Sequence, residues 1–115
     1  MNREDALKSI EARVSNANLV KHMLATEAVM RALAKRLGQD EAEWGLAGLL
    51  HDIDIDLIQG DLTRHSKLGA ELVKELGASE AISYAVLCHN QVHSVTRLSL
   101  LDKAIYSAHP QAGLI

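Results

Sequence analysis

The stretch LLHDID at residues 49–54 places an adjacent histidine and aspartate at the end of an apolar segment. The apolar residues before it continue a helical row that contains Trp44 and Ala47. His51 extends that row, so we expect its imidazole at the buried face of a helix that begins at Glu41 and ends near His51. A buried imidazole beside a carboxylate is a candidate metal-binding pair.

Five further helical segments are predicted around this helix, and capping residues or glycines mark most of their ends. Asp54 to Asp61 is predicted as a loop, and no run of alternating apolar and polar residues indicates a strand. The fold class predicted is therefore all-α, a bundle of about six helices whose first two members can pair as an antiparallel hairpin. The five further segments are Arg3 to Val14, Asn18 to Leu37, Arg64 to Leu76, Ser79 to His89, and a last helix that the capping box of Ser99 and Asp102 begins and Pro110 ends.

The composition is that of one globular domain over residues 1–115, with 48% apolar and 23% charged residues. A formal charge of −3 provides no basic excess for binding polymeric nucleic acid. One cysteine excludes an intramolecular disulfide and is compatible with a reducing cytoplasm. The polar N-terminus and the lack of a long apolar run predict a cytoplasmic chain without membrane segments.

Four other histidines fall on predicted apolar helix faces, as His51 does. His93 is expected in a loop. Several buried imidazoles near one another cannot all be protonated, because the positive charges would repel. A divalent cation would satisfy their nitrogens, and the carboxylate of Asp52 could bridge two ions. For any single position, a core histidine bonded to a carbonyl is an equal alternative; the agreement among five positions favours the metal. The four are His22, His65, His89 and His109.

The upstream His22, the pair His51-Asp52, a later histidine and a final helix together resemble the HD superfamily of metal-dependent phosphohydrolases. The stretch HSKLGAEL at residues 65–72 and the pair His89-Asn90 resemble the branch with two metals, such as the bacterial diadenosine tetraphosphate hydrolases. The resemblance implies an HD-domain bundle. It also implies that one metal is bound by His22, His51 and Asp52, and that Asp52 bridges to a second metal bound by His65 and His89.

The last helix departs from the family pattern. Where the family has Ala-Asp, this sequence has Ala108-His109, so the resemblance implies that an imidazole replaces a carboxylate ligand. The loss of one negative charge favours Fe, Mn, Zn or Ni over Mg²⁺, as one ion or two. Asp102 is an alternative ligand, although its capping position favours a structural role. Related proteins continue beyond Ile115, so a shortened domain is one expectation, and a homodimer formed through an exposed apolar face is another.

The function predicted is hydrolysis of a small phosphate ester or anhydride, such as a nucleotide, by a metal-activated water, with His51 and Asp52 as the catalytic pair. Candidate substrate-binding residues are Lys21, Arg64, Asn90 and Lys103, with solvated surface as the alternative for the basic side chains.

Other residues and other functions stay open at this point. Asp54 and Asp56 either orient a ligand or water or serve as loop residues, and the loop role is favoured more for Asp56. Cys88 is interpreted as core rather than as a nucleophile. An HD domain without catalysis, which binds metal or nucleotide in a regulatory or scaffolding role, is the alternative function, and an inert helical bundle is the third.

Overall fold

The computed structural model describes residues 1–90 and 95–112, with side chains up to residue 108. Six helices account for most of this part of the chain, which contains no strand, and the predicted all-α class is therefore confirmed. No helix among the described residues is both long enough and apolar enough to cross a membrane. The helices are α1 (Arg3–Arg13), α2 (Ala17–Leu37), α3 (Glu41–Leu50), α4 (Lys67–Glu75), α5 (Glu80–Cys88) and α6 (Leu100–Ala112).

The predicted capping signals are present at the helix ends. The Asp40 side chain accepts a hydrogen bond from the Glu43 amide at the start of α3. Ser99 and Asp102 form a reciprocal capping box at the start of α6, because each side chain accepts from the backbone amide of the other at 3.0 Å. Gly38 ends α2 with φ 69°, a left-handed conformation that glycine adopts without strain.

The predicted hairpin of the first two helices is wrong. Helix α2 packs most extensively against α3, and α1 packs against α3 instead. Glycines of α3 let the backbones of α2 and α3 approach closely, because a Cβ at Gly48 would lie only 2.9 Å from the carbonyl oxygen of Thr26. The close pairing of α2 with α3 brings His22 next to the end of α3.

Two predicted helix bounds also differ from the structure. Arg64, His65 and Ser66 precede α4, because Ser66 has φ 70° and so interrupts the helical conformation. Helix α6 continues past Pro110 to Ala112, so Pro110 lies within its last turn and does not mark its end. His65 therefore lies on a turn in front of α4.

Candidate metal centre

Four histidines surround the carboxylate of Asp52. The Oδ2 atom lies 3.2 Å from Nε2 of His22 and 3.1 Å from Nε2 of His51. The Oδ1 atom lies 3.2 Å from Nε2 of both His65 and His89. The two oxygens thus face two different pairs of rings. We call the group of His22, His51 and Oδ2 the first position, and the group of Oδ1, His65 and His89 the second position.

Each side chain of the cluster lies within a helix, just before one or just after one. His22 lies on α2, while His51 and Asp52 directly follow α3. His65 lies on the turn before α4, and His89 directly follows α5. In each position the histidine and carboxylate atoms lie within 4.8 Å of one another, close enough to share an ion. Four different parts of the chain thus bring together five of the six residues that the sequence analysis proposed as metal ligands, and the side chain of the sixth, His109, lies outside the described residues.

Backbone carbonyls orient two of the rings. Nδ1 of His51 is 2.6 Å from the Gly48 carbonyl oxygen, and Nδ1 of His89 is 2.6 Å from the Val86 carbonyl oxygen. A carbonyl can only accept, so both Nδ1 atoms carry the proton and donate it. When these rings are neutral, each Nε2 therefore presents a lone pair to Asp52.

This donor set fits divalent transition-metal ions. Nε2 of His22 is 3.2 Å from Nε2 of His51, and the same distance separates His65 from His89. When His51 and His89 are neutral, the lone pairs of their Nε2 atoms face the oxygens of Asp52, and none of these atoms can donate a hydrogen bond to another. A cation in each position would bind these atoms and remove the repulsion, and imidazole with carboxylate is a donor set that suits Zn, Mn, Fe or Ni.

Asp54 supports the second position. Its Oδ1 accepts from Nδ1 of His65 at 2.6 Å, and its Oδ2 accepts from the amides of Ser66 and Gly69 at 2.6 and 2.9 Å. Asp54 is fully buried. Asp54 thus combines the two roles that the sequence left open, because it orients a histidine of the cluster and also accepts from the backbone amides at the start of α4.

The surroundings shift the pKa values of the clustered residues in different directions. Burial would raise the pKa of Asp52, but the charge of His51 and hydrogen bonds with three histidines hold it well below its usual range. Burial lowers the pKa of His89 more than Asp52 raises it. Burial would also lower the pKa of His65, yet its hydrogen bonds and charge interactions with Asp52 and Asp54 outweigh that effect and raise it to about 9. At neutral pH, Asp52 is therefore ionised and His89 neutral, as metal ligands must be, whereas His65 is protonated and would release a proton on binding an ion.

Solvent reaches the cluster through one histidine of each position. The side chains of His22 and His65 are 18% and 11% exposed. The side chains of His51, His89 and Asp52 are at most 4% exposed. A ligand from solvent would therefore meet the two positions through His22 and His65.

The candidate substrate-binding residues differ in their relation to the cluster of histidines and Asp52. Lys21, Arg64 and Lys103 are exposed, and no described hydrogen bond or ion pair links them to it. Arg64 lines an open cavity of about 410 Å³ with Thr63, Lys67, Leu68 and Glu71. Asn90 donates to the backbone carbonyl of His65 at 3.2 Å, so it braces the turn that carries this histidine.

The structure shows the surroundings of three further residues that the sequence analysis discussed, and two others lie outside the described residues. Asp56 accepts from the amide and hydroxyl of Ser15, which is the loop role that was favoured for it. Asp102 is occupied as the α6 cap. Cys88 is a buried core residue. His93 and the side chain of His109 fall outside the part of the chain that the structure describes.

Sequence reasoning missed two glycines that shape the centre. Gly48 provides both the close approach to α2 and the carbonyl that orients His51. A Cβ at Gly69 would lie 3.0 Å from Oδ2 of Asp54, so this glycine makes room for the carboxylate. The signal in the sequence that could have indicated these roles was a glycine three residues before His51 and another four residues after His65.

A protein-family model and several known proteins match this chain. The HD domain family matches residues 19–108. Ribonuclease Y of Oleidesulfovibrio alaskensis is 32% identical over 74 residues, and the match covers 64% of this chain and 14% of that protein. Ribonuclease Y 1 of Pediococcus pentosaceus is 30% identical and Ribonuclease Y of Thermoanaerobacter pseudethanolicus 33% identical, each over 99 residues and 83% of this chain.

The chain spans only 14% to 20% of the length of these three relatives. No solved structure gives a significant match. The family match covers most of the chain and includes all five clustered residues. The chain therefore belongs to the HD domain family.

Proposed function

We propose that this domain is a metal-dependent phosphohydrolase with two metal positions that share Asp52. The observation that carries the proposal is the division of one buried carboxylate between two pairs of imidazole nitrogens, each within 3.2 Å. Structural histidines rarely need such a shared carboxylate, whereas a pair of metal ions does. Divalent ions held there would supply an activated water and neutralise charge on phosphoryl oxygens.

The residues of the chain have distinct tasks in this proposal. His22 and His51 would hold one ion, His65 and His89 the other, and Asp52 would bridge them. The hydrogen bonds from Nδ1 of His51 and His89 to backbone carbonyls would leave the Nε2 atoms of both rings available to hold an ion. The exposed edges of His22 and His65 would allow a phosphate group to reach both positions at once.

For the substrate, we propose a small phosphate ester or anhydride, with a nucleotide as the leading candidate. The net charge of −3 argues against tight binding of a long nucleic acid by this domain alone. The relatives are named ribonucleases, so an RNA phosphodiester belongs among the substrates to be compared. Diadenosine tetraphosphate enters the comparison because of the resemblance of residues 65–72 to the branch with two metals.

A turnover assay with added Mn²⁺ or Zn²⁺ tests this proposal. The substrates are an aryl phosphate, mononucleotides, dinucleoside polyphosphates and a short RNA, and release of phosphate or cleavage of RNA is measured. We expect metal-dependent turnover of at least one small substrate, and its loss in Asp52→Ala. The matched control is Asp56→Asn, because Asp56 contacts Ser15 and not the cluster. Equal turnover by Asp52→Ala and the parent would contradict the proposal.

A second candidate function is an HD domain that binds metal or a nucleotide without hydrolysing it. The observation in its favour is His109, which stands where the family pattern has an aspartate. His109→Asp separates the two candidates. Turnover that arises only in this variant would favour the binding domain, and turnover already present in the parent favours the enzyme.

A further inference from the structure

We infer that the second position binds its metal ion more tightly than the first, and that Asp54 is the positioning residue that causes the difference. This inference rests on the proposed metal centre. It adds an order of occupancy and a residue responsible for that order.

The ring of His65 is held by a carboxylate, whereas the ring of His51 is held by a carbonyl. Nδ1 of His65 donates to Oδ1 of Asp54 and Nδ1 of His51 donates to the Gly48 carbonyl oxygen, both at 2.6 Å. A carboxylate draws the Nδ1 proton more strongly than a neutral carbonyl does, so it leaves more electron density on Nε2. Nε2 of His65 is therefore the stronger donor to a metal ion.

Asp54 also brings a second negative charge to the second position. Asp52 is shared by both positions, but Asp54 contacts His65 directly and is fully buried. Coulomb attraction is larger where water is excluded, so this charge favours a cation beside His65 and His89. The first position receives no such contact from Asp54.

The Asp54 carboxylate is fixed in place by the start of α4. The amides of Ser66 and Gly69 both donate to its Oδ2, so Asp54 caps a helix whose N-cap residue, Ser66, makes no side-chain capping bond. Helix N-termini favour negative charge, so the start of α4 is a suitable place for a carboxylate. The lack of a side chain at Gly69 leaves the room that this arrangement needs. His65 is thus oriented before any ion binds, which reduces the entropy lost on binding.

The test is a Zn²⁺ titration of the chelator-stripped full chain in competition with a chromogenic chelator. We expect two binding steps in the parent. Asp54→Asn keeps the shape of the side chain and removes the charge, and we expect it to weaken the tighter step by about 10- to 100-fold. The weaker step should change little. Asp56→Asn is the matched control and should leave both steps unchanged.

Two ligand variants assign the steps to positions independently of Asp54. His22→Ala should retain the tighter step, and His65→Ala should abolish it. This comparison decides the order of occupancy even when Asp54→Asn does not fold. Tighter binding by His65→Ala than by His22→Ala would overturn the inference, as would an unchanged tighter step in folded Asp54→Asn.

Failure of the proposed function would give a different result. A parent chain that binds no Zn²⁺ at all would overturn both the metal centre and the order of occupancy. Two steps that resist Asp54→Asn would leave the metal centre standing and reject only the role of Asp54.

Discussion

Gly48 on α3 and Thr26 on α2 make the backbone contact that sets the spacing of the first position. A Cβ at Gly48 would lie 2.9 Å from the Thr26 carbonyl oxygen. The hydroxyl of Thr26 in turn donates to the carbonyl of His22 at 2.8 Å, one helical turn earlier. The distance between these two backbones therefore determines how close His22 comes to His51.

Gly48→Ala should separate α2 from α3 and weaken the first position. Overpacking of this kind costs about 1–3 kcal/mol of unfolding free energy. We expect the variant to keep the tighter Zn²⁺ step and to lose the weaker one, because the second position does not depend on this contact. Urea unfolding and metal analysis measure the two effects. In the control Gly45→Ala, the new Cβ meets the flexible end of the Arg31 side chain, which can move. The same unfolding free energy as the parent, together with both Zn²⁺ binding steps at the strength of the parent, would contradict this interpretation.

Glu27 joins α1 to α2 through a buried carboxylate. It accepts two bonds from Arg3, at 2.7 and 3.0 Å, and one from Arg31 at 3.2 Å. Glu27→Gln should lower the free energy of unfolding by about 1.5–3 kcal/mol, because the lost bonds involve charged groups. Glu4→Gln is the control, since the pair of Glu4 with Lys8 is exposed and should contribute little. Equal unfolding curves for Glu27→Gln and Glu4→Gln would show that the buried carboxylate contributes nothing.

Cys88 should react slowly with thiol reagents while the chain is folded. Burial raises the pKa of its thiol to about 11, and the charge of Asp102 adds to that effect. The thiolate is the reactive form, so at about pH 8 very little of it is present. We expect slow modification in buffer and rapid modification in denaturant, followed by absorbance of the released reagent. Rapid stoichiometric modification of the folded chain would exclude an inert core role.

The metal-free protein should lose stability as the pH rises from 6.5 to about 9. The pKa of His65 is raised from 6.5 to about 9 in the folded state. The protonated ring therefore stabilises the fold fully below pH 6.5, and this contribution is lost as the pH passes about 9. Urea unfolding of chelator-stripped protein across this range measures the loss, and His65→Gln should flatten the dependence. An increase in stability of the parent over the same range would contradict the assignment.

Much of the fold followed from local signals in the sequence. The spacing of apolar residues predicted the helices and predicted that the histidines face the interior. Asp40, Gly38 and the capping box of Ser99 and Asp102 marked helix ends at the places where the structure has them. The resemblance to the HD superfamily implied that His22, His51, His65 and His89 meet around Asp52, whereas the apolar rows predicted only that these histidines face the interior. Periodicity carries such information because it depends only on neighbours along the chain.

Contacts between distant parts of the chain could not be predicted in this way. Asp54 meets His65 only because Ser66 adopts a left-handed conformation, and no local pattern marked that turn. The preference of α1 for α3 depends on the shapes of three helices together. Lys21 and Lys103 were predicted to bind substrate because they lie close in sequence to the proposed ligands. Nearness in sequence does not determine where a long exposed side chain points.

Anomalous scattering from crystals of protein purified without chelator and soaked in Zn²⁺ is the most direct measurement of the shared centre. We expect two peaks, one beside His22, His51 and Oδ2 of Asp52, and the other beside Oδ1 of Asp52, His65 and His89. No peak at the cluster, with the four rings bonded only to protein neighbours, would contradict the metal centre.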